Sequence, residues 1–182
     1  AAAACVDPEN GVEDQAAALA GARDIIAEWT SEDEWARSMA RELFARRGLL
    51  RSQVAKGKEE EGAKFRDYFD AEELASNTPS HRVLAVFRGE QEGMLSVQVG
   101  PEESEVVEAL GQHFLMGTGA ASGQVQVALE DGYKRLLGPS MATEMRNALK
   151  ERADATAIAV FAENLRNLLL AAPLGQKAIL AI

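Results

Sequence analysis

The sequence predicts a mainly α-helical chain: an elongated multi-helix region with one or two short strands and a long C-terminal helix. Three observations carry that expectation. Apolar residues recur at intervals of three and four through most of the 182 residues, the spacing that lays one stripe along a helix. Alternation of apolar and polar residues, the mark of a strand, is clearest at residues 94–99. Residues 140–171 contain neither glycine nor proline, enough for a helix of about 45 Å at 1.5 Å per residue.

Residues 1–11 are expected to be a tail or disordered. Leu19, Ala22, Ile25, Ile26 and Trp29 then take helical spacing. Ser31 and Glu34 form a capping-box pattern, the serine oxygen accepting from the third helical amide while the glutamate reaches back. A second helix is expected from there, with Trp35, Met39, Leu43 and Phe44 on one face and Gly48 just past its end. Leu49, Leu50 and Val54 suit a short strand, and residues 57–62 a solvated turn. Asp70 is expected to cap a short helix through Leu74. Thr78-Pro79 marks another start, because a proline at the first helical position lacks only an N–H that has no partner there. Val83, Leu84 and Phe87 supply that helix's apolar face, and Gly89 or Gly93 its end.

Leu95, Val97 and Val99 alternate with Ser96 and Gln98 in the predicted strand. Pro101 and the acids after it open a helix bearing Val106, Val107, Leu110, Phe114 and Leu115. The glycine-rich stretch 117–123 reads as a loop, and residues 124–137 as a helix ended by Gly138-Pro139. The long helix follows, closed by Pro173 and Gly175. Residues 177–182 read as a buried strand, which needs neighbours to satisfy its backbone. With that strand and no initiator methionine, the chain is expected to be a piece of a larger protein. The expected organisation is a helical region over 12–138, a connecting helix over 139–172, and the start of a further domain at 173–182.

Composition narrows the function. At 47% hydrophobic residues the chain is not disordered throughout, and it has no run of about 18 apolar residues to serve as a membrane span. A cytoplasmic location is the default expectation. One cysteine and two distant histidines suggest no disulfide and no structural zinc site. No cofactor and no small-molecule substrate is expected.

The net charge of −10 is unevenly spread. Residues 37–66 hold nine bases (Arg37, Arg41, Arg46, Arg47, Arg51, Lys56, Lys58, Lys64, Arg66) and four acids, a local surplus of five. Arg46, Arg47, Arg51, Lys56 and Lys58 are therefore the candidate nucleic-acid-binding residues, an auxiliary face for phosphates. The competing interpretation places Arg46 and Arg47 in a helix's last turn, where cations complement the dipole. Gly117 to Gly123 lacks the preceding strand and the Gly-Lys-Ser/Thr ending of a phosphate loop. Ser80 and His81 are neighbours on a helix, point about 100° apart, and lack an orienting carboxylate. His113 is expected to be partly buried. No nucleophile, paired carboxylate or metal constellation is found, so no enzyme is predicted.

Four stretches together carry a family resemblance: Ala16 to Trp29 (AAALAGARDIIAEW); Tyr68-Phe69-Asp70 with Pro79 to Glu90 (PSHRVLAVFRGE); Asp131 to Ser140 (DGYKRLLGPS); and Phe161 to Ile182 (FAENLRNLLLAAPLGQKAILAI). The chain resembles the N-terminal helical region of the Tex family, bacterial transcription accessory proteins of the S1 RNA-binding type. The resemblance implies an elongated protein with a YqgF-type RNase H-like domain, helix-hairpin-helix units and a C-terminal S1 domain that is the main nucleic-acid binder. Residues 177–182 would be the first strand of the RNase H-like domain. Ala142 departs from the family's usual glutamate. The expected function is a non-catalytic helical scaffold of a nucleic-acid-binding transcription accessory protein, with RNA or DNA bound by the full-length protein. The alternative is a protein-docking or domain-bracing module, with RNA polymerase a possible partner.

Overall fold

The computed structural model of the chain describes residues 2–172 and Gly175. The strand expected at 177–182 lies outside the described residues. Where a tail was expected, two short 3-10 turns form, Ala2–Cys5 and Pro8–Asn10. The Asp7 side chain accepts from the Asn10 amide and closes the second.

Helix α1 spans Gln15–Glu32, and Asp14 caps it by accepting from the Ala17 N–H at 2.8 Å. The expected capping box at Ser31 does not form. Ser31 lies in the last turn of α1 and donates to the Glu28 carbonyl, while Asp33, the sole link to the next helix, accepts from the Ala36 amide at 2.8 Å. An aspartate two residues on caps as well as the serine, and α1 gains its final turn. Helix α2 (Glu34–Arg47) buries Ala36, Ala40 and Phe44, four residues apart each time, and leaves Trp35 partly exposed. Gly48 is extended, with φ −61°. It must be glycine for room: a Cβ there would sit 2.3 Å from the Phe44 carbonyl oxygen and 2.6 Å from the Met145 methyl.

Strand β1 (Leu49–Val54) is the centre of a three-stranded antiparallel sheet in the order β2-β1-β3. Strand β2 is Asp70–Leu74, the segment expected as a helix. Its sequence, Asp-Ala-Glu-Glu-Leu, has no β-branched residue. Pairing decides the matter, since Glu72 lies directly opposite Arg51 of β1. Helix α3 (Ser80–Gln91) starts just after Pro79, and β3 (Leu95–Gly100) pairs with the other edge of β1. Helix α4 is Glu103–Phe114.

Helix α5 (Ala120–Gly132) takes in half of the expected glycine loop, which leaves only residues 115–119 as the connection. Gly138-Pro139 does not end the helical path. Residues Tyr133–Leu137 form a π-turn that leads directly into α6, Gly138–Leu169. Pro139 has no N–H and its ring crowds the carbonyl four residues back. The wider π-turn relieves that crowding, and its closing bond runs from the Gly138 N–H to the Tyr133 carbonyl.

Two cores meet on α6. In the first, Ala36, Ala40 and Phe44 pack with Val106, Leu110, Leu129, Tyr133, Leu137 and Met141. In the second, Leu50, Val83, Val86 and Val99 pack with Leu149 and Ala153. Met145 touches both. Helix α1 lies along α5, so close that a Cβ on Gly132 would stand 3.0 Å from the Ala27 Cα.

Guanidinium groups tie α6 down. Arg37 donates to Ser140 Oγ, and Arg41 pairs with Glu144 at 2.6 Å. Arg146 pairs with Glu90, donates to the Val97 carbonyl and lies over the Phe87 ring. Arg152 donates to three carbonyls, those of Ala75, Ser76 and Thr78. Beyond Asp154 the helix is bare: every described residue from 155 to 172 is exposed. No helix among the described residues is long and apolar enough to cross a membrane.

Candidate nucleic-acid interface

The five candidate cations fall on three kinds of element. Arg46 and Arg47 close α2, where their charge complements the helix's C-terminal end. Arg46 pairs one turn back with Glu42 at 2.9 Å, and Arg47 reaches Glu105 of α4 at 2.7 Å. Arg51, on the central strand, is held between Glu72, 2.7 Å away, and Glu102. The hydrogen bond to Glu72 is the main cause of its raised pKa, with the charges of Glu102 and Glu72 adding to it. Lys58 pairs with Glu61 inside the turn at 2.7 Å. Lys56 is exposed and makes no ion pair among the described residues.

Arg47 and Arg51 thus converge on the acids at the start of α4, whereas Arg46 and Lys58 answer acids on their own elements. The basic surplus of the sequence largely disappears in space. Five acids from outside residues 37–66 pair with bases inside it: Glu72 and Glu102 with Arg51, Glu105 with Arg47, Glu144 with Arg41, and Glu92 with Lys64. They equal the local surplus of five.

Arg51 also lines a cleft of about 580 Å³ to which α6 and the π-turn add Arg146 and Lys134. Reading the linear charge run missed these two cations, because they lie far along the chain. Glu102 and Glu103 line the same cleft, and Lys134 pairs with Glu103 at 3.1 Å. The wall includes Tyr133, whose phenol pKa is raised by burial and then by the charges of Glu103 and Glu102. The cleft is therefore of mixed charge.

His113 is exposed where it was expected to be partly buried. Its ring stacks on Trp35, centroids 3.7 Å apart, with Phe114 edge-on to both. His81 is exposed and borders a groove between α3 and α6 that Phe161 also lines. Among the described residues no three His, Cys, Asp or Glu side chains are grouped to hold a metal ion.

The bare half of α6 carries a run of exposed large apolar residues. Ile158, Phe161 and Leu168 are 68, 67 and 75% exposed, with Leu165 between them at 43%. Their spacing of three, four and three puts all four on one face.

A protein-family model described as "Tex central region-like" matches residues 1–161. The chain belongs to the Tex family. "Protein tex" of Bordetella pertussis is 39% identical, and the match covers all of this chain and 25% of that protein. "Transcriptional accessory protein Tex" of Neisseria gonorrhoeae is 38% identical across 94% of this chain and 23% of its own length. "S1 RNA-binding domain-containing protein 1" of Pongo abelii is 26% identical over 89% of this chain and 18% of its length. This Tex region thus spans about a quarter of the length of the bacterial relatives it matches. It is the mainly helical portion expected from the sequence, with a small sheet and a long last helix.

Proposed function

We propose that this Tex region is a non-catalytic helical scaffold within a nucleic-acid-binding, cytoplasmic transcription accessory protein, and that α6 is its bracing strut. The observation that carries the reading is the division of α6. One half is fixed by both cores and by Arg37, Arg41, Arg146 and Arg152. The other half shows an apolar stripe to solvent, the kind of surface that other protein covers. The names of the relatives support the transcriptional and nucleic-acid setting.

The test is a chimera in which this chain replaces the matching region of the Bordetella pertussis protein. Changing Ile158, Phe161 and Leu165 to Gln is expected to cost the isolated chain no more than about 1.5 kcal/mol of stability, about 0.5 kcal/mol for each exposed site. The same change in the chimera is expected to split or lower its unfolding transition. An unchanged chimera refutes the strut.

The auxiliary phosphate face at Arg46, Arg47, Arg51, Lys56 and Lys58 is the second reading. It is favoured by exposed Lys56 and by the small net value, about 0–1 kcal/mol, of surface ion pairs that a phosphate has to displace. Fluorescence anisotropy with single-stranded RNA at 50 and 200 mM salt tests it. Binding that weakens steeply with salt supports the face, and no binding at the lower salt removes it.

A further inference from the structure

We propose that the cavity between α2 and α6 is a docking site for one apolar side chain, aromatic or leucine, of a protein segment that carries a carboxylate beside it. The cavity holds about 400 Å³, within the 300–1,000 Å³ typical of ligand sites. Its floor is Phe44, Met141, Met145 and Leu149, the side chains through which the two cores meet on α6. Ala45 and Ala148 border it and are exposed, so it opens to solvent between two helices. An apolar recess open on one side between two helices offers walls on several faces to one inserted side chain. Two methionines in its wall can adapt to the shape of what enters.

The rim specifies the charge of the occupant. Arg41 and Arg152 stand there against a single carboxylate, Glu144. Arg152 spends its nitrogens on three backbone carbonyls. Arg41 gives only its Nε to Glu144, and among the described residues neither of its terminal nitrogens has a partner. A positive rim on a chain of net charge −10 is a local exception, and it favours an acidic neighbour for the inserted side chain. Because the mouth lies between helices on the surface, one side chain enters and the remainder runs along them, as a peptide backbone does. The site is separate from the bare half of α6.

The chain labelled with ¹³C at its methionine methyls is titrated with the peptide acetyl-Gly-Glu-Phe-Glu-Gly-amide. The Met141 and Met145 signals are expected to shift while that of Met116, 97% exposed, stays in place. Replacing the peptide's Phe by Ala is expected to abolish the shifts, and replacing both of its Glu by Gln to weaken binding at least threefold. Arg41→Gln is expected to erase that difference. Ala148→Phe, which fills the cavity from its edge, is expected to block binding. Ala45→Leu does the same from α2, and unchanged Met39 and Met94 signals certify that either variant folds. The proposal is overturned if millimolar peptide shifts neither methyl, or if binding survives both filling variants. It is equally overturned if free N-acetylphenylalanine binds as tightly as the peptide, which would make this a site for a small aromatic acid.

Discussion

Removing the Arg152 guanidinium tests whether α6 holds the turn between β2 and α3 through hydrogen bonds as well as through packing. Arg152→Met keeps most of the apolar stem and deletes the donors to Ala75, Ser76 and Thr78, at 3.1, 3.0 and 3.0 Å. Hydrogen bonds involving a charged group contribute about 1.5–3 kcal/mol each. Ser76 is exposed, so water replaces that partner at small cost, and bonds sharing one donor group are not additive. The two part-buried bonds leave a net loss of about 2–3 kcal/mol. For a chain of this length, 2–4 °C per kcal/mol converts that to a fall in Tm of about 4–12 °C. Arg152→Lys, a point charge without the planar fork, is expected to recover less than half. Urea unfolding followed by circular dichroism gives the free energy, and hydrogen exchange at residues 75–83 shows whether the turn loosens first. A Met variant within 0.5 kcal/mol of the parent, or a Lys variant equal to it, refutes the reasoning.

Asp33→Ala is expected to cost about 1 kcal/mol through loss of the α2 cap, and Ser31→Ala clearly less; the reverse order in chemical denaturation restores the capping box. Met141→Ala, which empties a fully buried position shared by α6 and the first core, is expected to cost about 2–5 kcal/mol by the same assay. Gly132→Ala gains about 1 kcal/mol of helix propensity, yet drives a methyl into the Ala27 backbone. It is therefore expected to lower Tm, and an increase shows that α1 can slide. Glu92 titrates below the ordinary glutamate value because Lys64, and then Arg88, hydrogen-bond its charged form. Its stabilisation is full above pH of about 4.3 and is lost as pH falls through the lowered folded value. Carboxyl NMR should show the low value, and Lys64→Met should raise it.

Much of this architecture is legible in the sequence, for reasons that differ by element. The long helix is announced by an uninterrupted three-and-four spacing, and β3 by its alternation. Strand β2 is not, because Asp70 to Leu74 has weak intrinsic strand preference and becomes a strand only by pairing with β1. The division of α6 into a covered and a bare half is also hidden, since Met141 and Leu149 look no different in the sequence from Phe161 and Leu165. The neutralisation of the local basic surplus is hidden in the sequence for a related reason. A surplus of charge is a local sum, but its neutralisation comes from Glu72, Glu92, Glu102, Glu105 and Glu144, which only folding brings near.

The π-turn at Tyr133–Leu137 sets an angle. A helix advances about 100° per residue, so the residue that a π-turn adds rotates everything after it relative to everything before. Helix α5 must face α1 while α6 faces two cores at once, and a regular helix through both would hold one of those bearings at the expense of the other. Deleting a single residue from this turn would swing Met141 and Leu149 away from their cores by about a quarter turn. It would also point the bare stripe of Ile158, Phe161 and Leu165 at a different part of the surroundings. The direction in which the strut offers its apolar face is thus fixed some twenty residues upstream, by five residues that do not touch it.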